Sequence, residues 1–162
     1  MRAYVAVGSN LGDRWGRLAQ AARALRAAPG VAVVRASRVW DAAPMGPPQP
    51  RYLNAVLELE TTRTPRSLLR LLREVERAAG RTRDVHWGAR TLDLDLLLFG
   101  DLVVREPGLT VPHPGMAHRR FVLAPLGELR PEIPVPGADA SVGRLLEEAP
   151  ELDLSPVGGY PL

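Results

Sequence analysis

The sequence predicts an α+β protein with a ferredoxin-like βαββαβ core, in which an antiparallel sheet is flanked by helices and followed by an extra hairpin and C-terminal helices. Three observations predict it. Segments with period-two alternation take turns with segments whose apolar residues recur every three or four positions. Their order is β-α-β-β-α-β before any extra element. No repeat or long linker divides the 162 residues, so one domain spanning 1–162 is expected.

The elements follow in chain order. Arg2–Val7 alternates as a strand and gives way to a turn at Gly8-Ser9-Asn10. Asp13 opens a helix whose apolar positions Trp15, Leu18, Ala22 and Leu25 keep a 3–4 spacing, and Pro29-Gly30 ends it. Val31–Trp40 reads as extended. Pro44-Met45-Gly46-Pro47-Pro48-Gln49-Pro50 is too proline-rich for helix or strand and forms a stiff surface loop. Tyr52–Thr62 alternates again, with Leu53, Ala55, Leu57 and Leu59 toward the core and Tyr52 and Asn54 on the opposite face. Thr64-Pro65 supplies a cap and a first turn, and Leu68, Leu69, Leu72, Val75 and Ala79 carry the helix to Gly80. The arginine-rich stretch 81–90 leads into the next strand. Phe99-Gly100-Asp101-Leu102 predicts a hairpin to Val103-Val104. Val111-Pro112-His113-Pro114 is a rigid extended link, Arg119–Leu129 a helix broken near Pro125, and Ser141–Ala149 a short capped helix before a proline- and glycine-bearing tail.

Composition narrows the function. The chain is 46% apolar, yet no apolar stretch approaches transmembrane length. Its first residues read as a strand rather than a signal peptide. The absence of cysteine excludes disulfides, thiolate metal sites and cysteine nucleophiles, and points to the cytoplasm. A pI near 10.1 suggests nucleic-acid binding, but the formal net charge is only +3. All 21 cations are arginine, so the high pI reflects late-titrating groups rather than a strong positive field. Without lysine there is neither a phosphate-binding P-loop nor the catalytic lysine of protein kinases. Phosphate must be handled by arginine, whose planar fork suits it.

The run Arg90-Thr91-Leu92-Asp93-Leu94-Asp95-Leu96-Leu97-Leu98-Phe99-Gly100-Asp101 carries the most information. Strand alternation puts Leu92, Leu94, Leu96 and Leu98 on one face and Asp93, Asp95, Leu97 and Phe99 on the other, with the two acids roughly 6–7 Å apart at Cα. Two carboxylates at one end of an otherwise buried strand suit Mg²⁺, which takes one or two carboxylates plus substrate phosphates. They equally suit a surface strand end with solvated, arginine-paired acids. Glu76, in the last turn of its helix, opposes the helix dipole and so hints at a task.

Several motifs taken together resemble the 6-hydroxymethyl-7,8-dihydropterin pyrophosphokinase family. They are Val7-Gly8-Ser9-Asn10-Leu11-Gly12, Trp87-Gly88-Ala89-Arg90-Thr91-Leu92-Asp93-Leu94-Asp95, Leu109-Thr110-Val111-Pro112-His113 and Phe121-Val122-Leu123-Ala124-Pro125-Leu126. The resemblance spans nearly the whole chain. It implies transfer of the β,γ-pyrophosphoryl unit of ATP to the pterin hydroxymethyl group, with release of AMP, in folate biosynthesis. By that similarity Asp93 and Asp95 would hold two Mg²⁺ ions against the triphosphate, and Arg81, Arg83 and Arg90 would be catalytic. ATP would meet Glu76, Arg83, Trp87, Arg90, Leu96, Thr110, His113 and Arg119. The pterin would meet Ala42, Met45, Tyr52, Asn54, Trp87 and Phe121, stacked between Tyr52 and Phe121. The implied partners are small-molecule substrates, with no nucleic acid, membrane or obligate protein partner. The chain departs from the family pattern at Ala42-Ala43, where a threonine-bearing loop entry is replaced, at His86 in place of an arginine, and at Gly108. The proline loop and 81–90 are the segments expected to close over substrate.

Two other classes are weaker. A nucleotidyltransferase pairs glycine-serine with two acids about a dozen residues later by resemblance, whereas some eighty residues separate them here. An RNA-binding ferredoxin-like module displays basic and aromatic residues on a central strand, and this chain places two acids there instead.

Overall fold

The structure, a computed structural model, describes residues 1–80 and 91–162. Its elements are β1 (Arg2–Ser9), α1 (Arg14–Ala27), β2 (Val31–Ala36), β3 (Val39–Ala42), β4 (Tyr52–Thr61), α2 (Pro65–Ala78), β5 (Asp93–Phe99), β6 (Val104–Glu106), β7 (Leu109–Val111), a 3₁₀ turn (Met116–His118), α3 (Arg120–Leu129), β8 (Pro134–Val135), β9 (Ala140–Ser141), α4 (Val142–Glu148) and β10 (Leu154–Gly158). Among the described residues the main sheet has six strands in the order β10-β3-β4-β1-β5, with β2 also on β4. Every pairing in it is antiparallel. This is the expected ferredoxin-like core, with β2 and β3 sharing one edge of β4.

Local chemistry sets the helix starts. The Asp13 carboxylate accepts the Gly16 N–H at 3.0 Å, the Thr64 hydroxyl accepts the Ser67 N–H at 3.1 Å, and the Ser141 hydroxyl accepts the Arg144 N–H at 3.2 Å. Val31–Trp40 divides into two strands because Ser37 turns inward: its backbone N–H donates to the Val56 carbonyl and its hydroxyl accepts the Val56 N–H, both at 2.9 Å.

The sheet carries two cores. On one face Val5, Val7, Leu53, Leu57, Leu94 and Leu96 pack against Leu18 and Leu25 of α1 and Leu68 and Leu72 of α2. On the other, Tyr4, Val56 and Leu97 pack against Val122, Leu123 and Leu126 of α3 and Val142 of α4. Among the described residues no helix is long and apolar enough to cross a membrane.

Five local expectations are corrected. The first strand continues through Gly8 and Ser9, because both pair with β4 and Gly8 also pairs with Asp93. Trp15 is 38% exposed instead of entering the apolar stripe; it lies in the first turn of α1 beside Gly158, and Ala21 takes the core place. The strict alternation along residues 92–99 breaks at a β-bulge. Tyr4 pairs with Leu98 and Val5 with Leu96, so Leu97 is the extra residue. Leu98 consequently joins Leu97 on the α3 side, and Phe99 joins the α1/α2 core. A turn does form at Gly100 (φ +56°), but β6 pairs with β7 instead of β5. Finally, α3 runs unbroken through Pro125, because burial of Val122, Leu123 and Leu126 outweighs one missing backbone bond. The tail also forms β10, which adds to the outer edge of β3, where Pro156 is tolerated.

Candidate active site

On its second face the sheet has two sorts of residue. α3 covers Tyr4, Val56 and Leu97, but beyond them β1, β4 and β5 present small and polar side chains. Register brings these together: Ala6 lies opposite Asp95, and Gly8 lies opposite both Asp93 and Asn54. Because Ala6 and Gly8 are small, a cavity of about 260 Å³ opens above them. Asp93 and Asp95 form one wall, Tyr52 and Asn54 another, and Arg119 and Phe121 descend from the start of α3. Ala43, Pro44, Met45 and Gln49 of the proline-rich loop close the side. Asn10, 2% exposed, holds that loop down by donating to the Gln49 side chain at 2.9 Å and the Pro50 carbonyl at 3.0 Å.

The electrostatics favour a cation between the acids. Burial, then the neighbouring Asp93 and Glu76 charges, push the Asp95 carboxyl up to about 7, with Arg73 and Arg119 opposing. The donor set suits a hard divalent ion. Among the described residues no cluster of three or more metal-ligating side chains exists, so Asp93 and Asp95 offer a cation two carboxylates there, the number that Mg²⁺ commonly takes from a protein.

His113 is held by its backbone N–H, which donates to the Leu97 carbonyl at 2.9 Å. Its Nδ1 accepts the Gly115 N–H at 3.1 Å, which leaves the proton of the neutral ring on Nε2. That Nε2 stands 3.9 Å from the Asp95 carboxylate. Burial, followed by the Arg119 charge, holds His113 down at about 4, so it is a neutral donor at pH 7. The Arg119 guanidinium lies on Gly115: a Cβ there would come within 2.9 Å of its Cζ.

The wall residue Asn54 is 7% exposed, and its side-chain N–H₂ group pairs with no acceptor among the described residues. A buried donor of this kind calls for an acceptor from a ligand. Gly8 makes room for it, since a Cβ at Gly8 would lie 3.1 Å from Asn54 Oδ1.

The structure thus brings together Asp93, Asp95, Tyr52, Asn54, Met45, Phe121 and Arg119 around one cavity, with His113 beside Asp95. Other candidates stand elsewhere. Ala42 is buried in β3 opposite Tyr52, and its neighbour Ala43 lines the cavity. The Leu96 side chain belongs to the α1/α2 core, so any part it plays falls to its main chain. Thr110 is an exposed residue of β7 opposite Arg105. Glu76 is 1% exposed in α2, behind β5 rather than in the cavity wall. Arg81, Arg83, His86, Trp87 and Arg90 lie outside the described residues. Sequence reasoning missed Ala6, Gly8, Gln49 and Arg73. The signal for the first two was present: after Tyr4, the cavity face of β1 drops to Ala6 and Gly8, while the opposite face keeps Val5 and Val7.

Residues 4–131 match the family described as 7,8-dihydro-6-hydroxymethylpterin-pyrophosphokinase. The chain is 44% identical over 128 residues to the 2-amino-4-hydroxy-6-hydroxymethyldihydropteridine pyrophosphokinase of Bacillus subtilis, covering 78% of this chain and 77% of that protein. It is 43% identical over 136 residues to the enzyme of the same name from Pseudomonas aeruginosa, covering 83% and 84%. In fold it is similar to wild-type Plasmodium falciparum HPPK-DHPS with SDX-DHP, at a TM-score of 0.71 and 12% identity. That match covers 91% of this chain but 44% of the other, so the chain spans less than half the length of that structure. With the matched family segment running from β1 into the residues after α3, and thus through every wall of the cavity, the chain belongs to the 7,8-dihydro-6-hydroxymethylpterin-pyrophosphokinase family, the pyrophosphate-transferring enzymes of folate synthesis.

Proposed function

We propose that the cavity binds ATP and 6-hydroxymethyl-7,8-dihydropterin side by side, and that the pterin hydroxymethyl oxygen attacks the β-phosphorus of ATP. The bond from that phosphorus to the oxygen bridging the α-phosphate breaks, AMP leaves with the bridging oxygen, and the hydroxyl proton is released. The observation that carries this reading is the convergence, in one cavity, of paired carboxylates (Asp93, Asp95), two aromatic rings (Tyr52, Phe121), a buried amide whose donor has no acceptor among the described residues (Asn54) and an arginine (Arg119).

The residues divide the work. Tyr52 from the sheet and Phe121 from α3 sandwich the flat pterin, and the Asn54 amide donates to an acceptor on its edge. Met45 and the loop around Ala42 and Ala43 close the pterin side. Asp93 and Asp95 would hold two Mg²⁺ ions, which supply charge neutralisation on the attacking and leaving oxygens and align them for in-line displacement. Arg119 and the Nε2–H of His113 donate to phosphate oxygens near these acids. Arg81, Arg83 and Arg90 would complete the clamp, with Trp87, Leu96 and Thr110 on the nucleotide side. No strong base is needed, because positioning and electrostatics dominate phosphoryl chemistry of this kind. We place this activity in the cytoplasm, within one unit spanning 1–162 and without an obligate protein partner; the cysteine-free composition supports the location.

The test is an assay with ATP, the hydroxymethyl pterin and Mg²⁺ that separates AMP from ADP. AMP formed in step with pterin diphosphate supports the reading; ADP as the nucleotide product rejects it.

A further inference from the structure

Glu76 and Arg73 stand outside the cavity, yet they touch the one peptide segment that joins the two acids. Among the described residues β5 is the last strand of its sheet, paired with β1 on one side only. On its open side, Leu94 turns both backbone groups toward α2. The Leu94 N–H donates to Glu76 Oε2 at 2.8 Å, and the Leu94 carbonyl accepts from Arg73 Nη1 at 3.1 Å. Arg73 Nη1 also donates to Glu76 Oε1 at 3.1 Å, closing a three-way contact. Leu94 is fully buried and Glu76 is 1% exposed, so without these partners the two peptide groups would be buried and unpaired, a costly arrangement.

We propose that the Arg73–Glu76 pair takes the place of a missing strand beside β5 and is a positioning device for the proposed metal ligands. The Leu94 N–H lies in the peptide plane that ends Asp93, and the Leu94 carbonyl lies in the plane that begins Asp95. Pinning both planes fixes the φ and ψ of Leu94, and with them the spacing and aim of the two carboxylates. A single hydrogen bond would leave one plane free to rotate. The acid and its arginine therefore work as a unit, in the way that outer-shell partners orient metal ligands elsewhere. Glu76 acquires a role distinct from touching nucleotide. Its burial on α2 follows from that role, as does its place near the helix C-terminus, where a carboxylate is otherwise disfavoured.

This inference rests on the metal-binding role of Asp93 and Asp95 proposed above. The test uses the full chain and two readouts: amide hydrogen exchange at Leu94, and Mn²⁺ affinity with a non-hydrolysable ATP analogue followed by electron paramagnetic resonance. Glu76→Ala is expected to unprotect the Leu94 amide and weaken Mn²⁺ binding by about 10- to 100-fold. Glu76→Gln keeps an acceptor for the Leu94 N–H and is expected to retain protection and most of the affinity; should Glu76→Ala fail to fold, this variant carries the test. Loss of Leu94 protection in Glu76→Gln would show that charge alone is used and would overturn the proposal. Unchanged Mn²⁺ affinity in a folded Glu76→Ala, with a raised KM for ATP, would overturn it by making Glu76 a nucleotide contact. Asp95→Asn separates the two readings: if it binds Mn²⁺ as well as the wild type, the metal assignment itself fails. If it does not, and Glu76→Ala matches the wild type, only the positioning role falls.

Discussion

On one face of the sheet, α1 and α2 press Leu18, Leu25, Leu68 and Leu72 onto Val5, Val7, Leu57 and Leu94, all of them buried. On the other, α3 and α4 cover Tyr4, Val56 and Leu97, reach Ala6 at their margin, and leave Gly8, Asn54, Asp93 and Asp95 to the cavity. The same strands feed both faces, since alternate residues of β1, β4 and β5 go to opposite sides. One face is spent on burial, the source of stability. The other keeps two like charges close together and a buried amide without an acceptor among the described residues, an arrangement that stability alone would not select. Apolar contacts on the first face hold the strands so that the second can carry unfavourable groups.

The sharpest way to break this comparison is to alter one residue on each face. Asp93→Asn should lower AMP formation by at least about 10²–10³-fold while leaving the melting temperature near or above the wild-type value. Leu57→Ala should do the reverse, costing about 2–5 kcal/mol of stability in denaturant titration and leaving turnover per folded molecule nearly intact. Equal loss of activity and stability in both variants would mean that the faces are not separable.

A smaller effect concerns pH. Asp95 titrates at about 7 in the fold against an ordinary 3.8, so the folded state binds its proton more tightly than the unfolded state. Its contribution is complete below about pH 4 and is lost as pH rises toward 7. His113, held at about 4 against 6.5, runs the other way: its contribution is complete above 6.5 and is lost as pH falls toward 4. The two trends offset each other in the metal-free wild type. Asp95→Asn removes one of them, so the variant should exceed the wild type by about 1–2 kcal/mol at pH 8 and lose that advantage near pH 4. A pH-independent difference in thermal denaturation would contradict the burial of an ionised Asp95.

The smallest expected effect is at Gly115. Its φ of −96° is ordinary for any residue, so Gly115→Ala strains no backbone but meets the Arg119 guanidinium. Displacing that group should reduce kcat/KM by less than about tenfold, roughly 1 kcal/mol, with little change in melting temperature. An unaltered kcat/KM would argue that Arg119 does not serve the site from its present position.

Much of this was legible in the sequence. The β-α-β-β-α-β order, the Asp13 and Thr64 caps, and the split of Tyr52 and Asn54 from Leu53, Ala55, Leu57 and Leu59 all follow from local chemistry and period-two geometry. The pairing of Asp93 with Asp95 on one wall was read from the same alternation. What failed was non-local. The bulge at Leu97 depends on how β5 meets β1, and the joining of β10 to β3 depends on residues more than a hundred positions apart. Pairing of β6 with β7 was decided by competition between two possible partners. Arg73 escaped notice because a solvent-accessible arginine on a helix gives no sign, in sequence alone, that it completes the edge of a distant strand.

The most direct measurement is a crystal structure with Mn²⁺ and a non-hydrolysable ATP analogue, read by anomalous scattering. Two anomalous peaks, each within coordination distance of an Asp93 or Asp95 oxygen and of a nucleotide phosphate, are the expected result. Bound nucleotide with no anomalous peak touching either carboxylate would contradict the account at its centre.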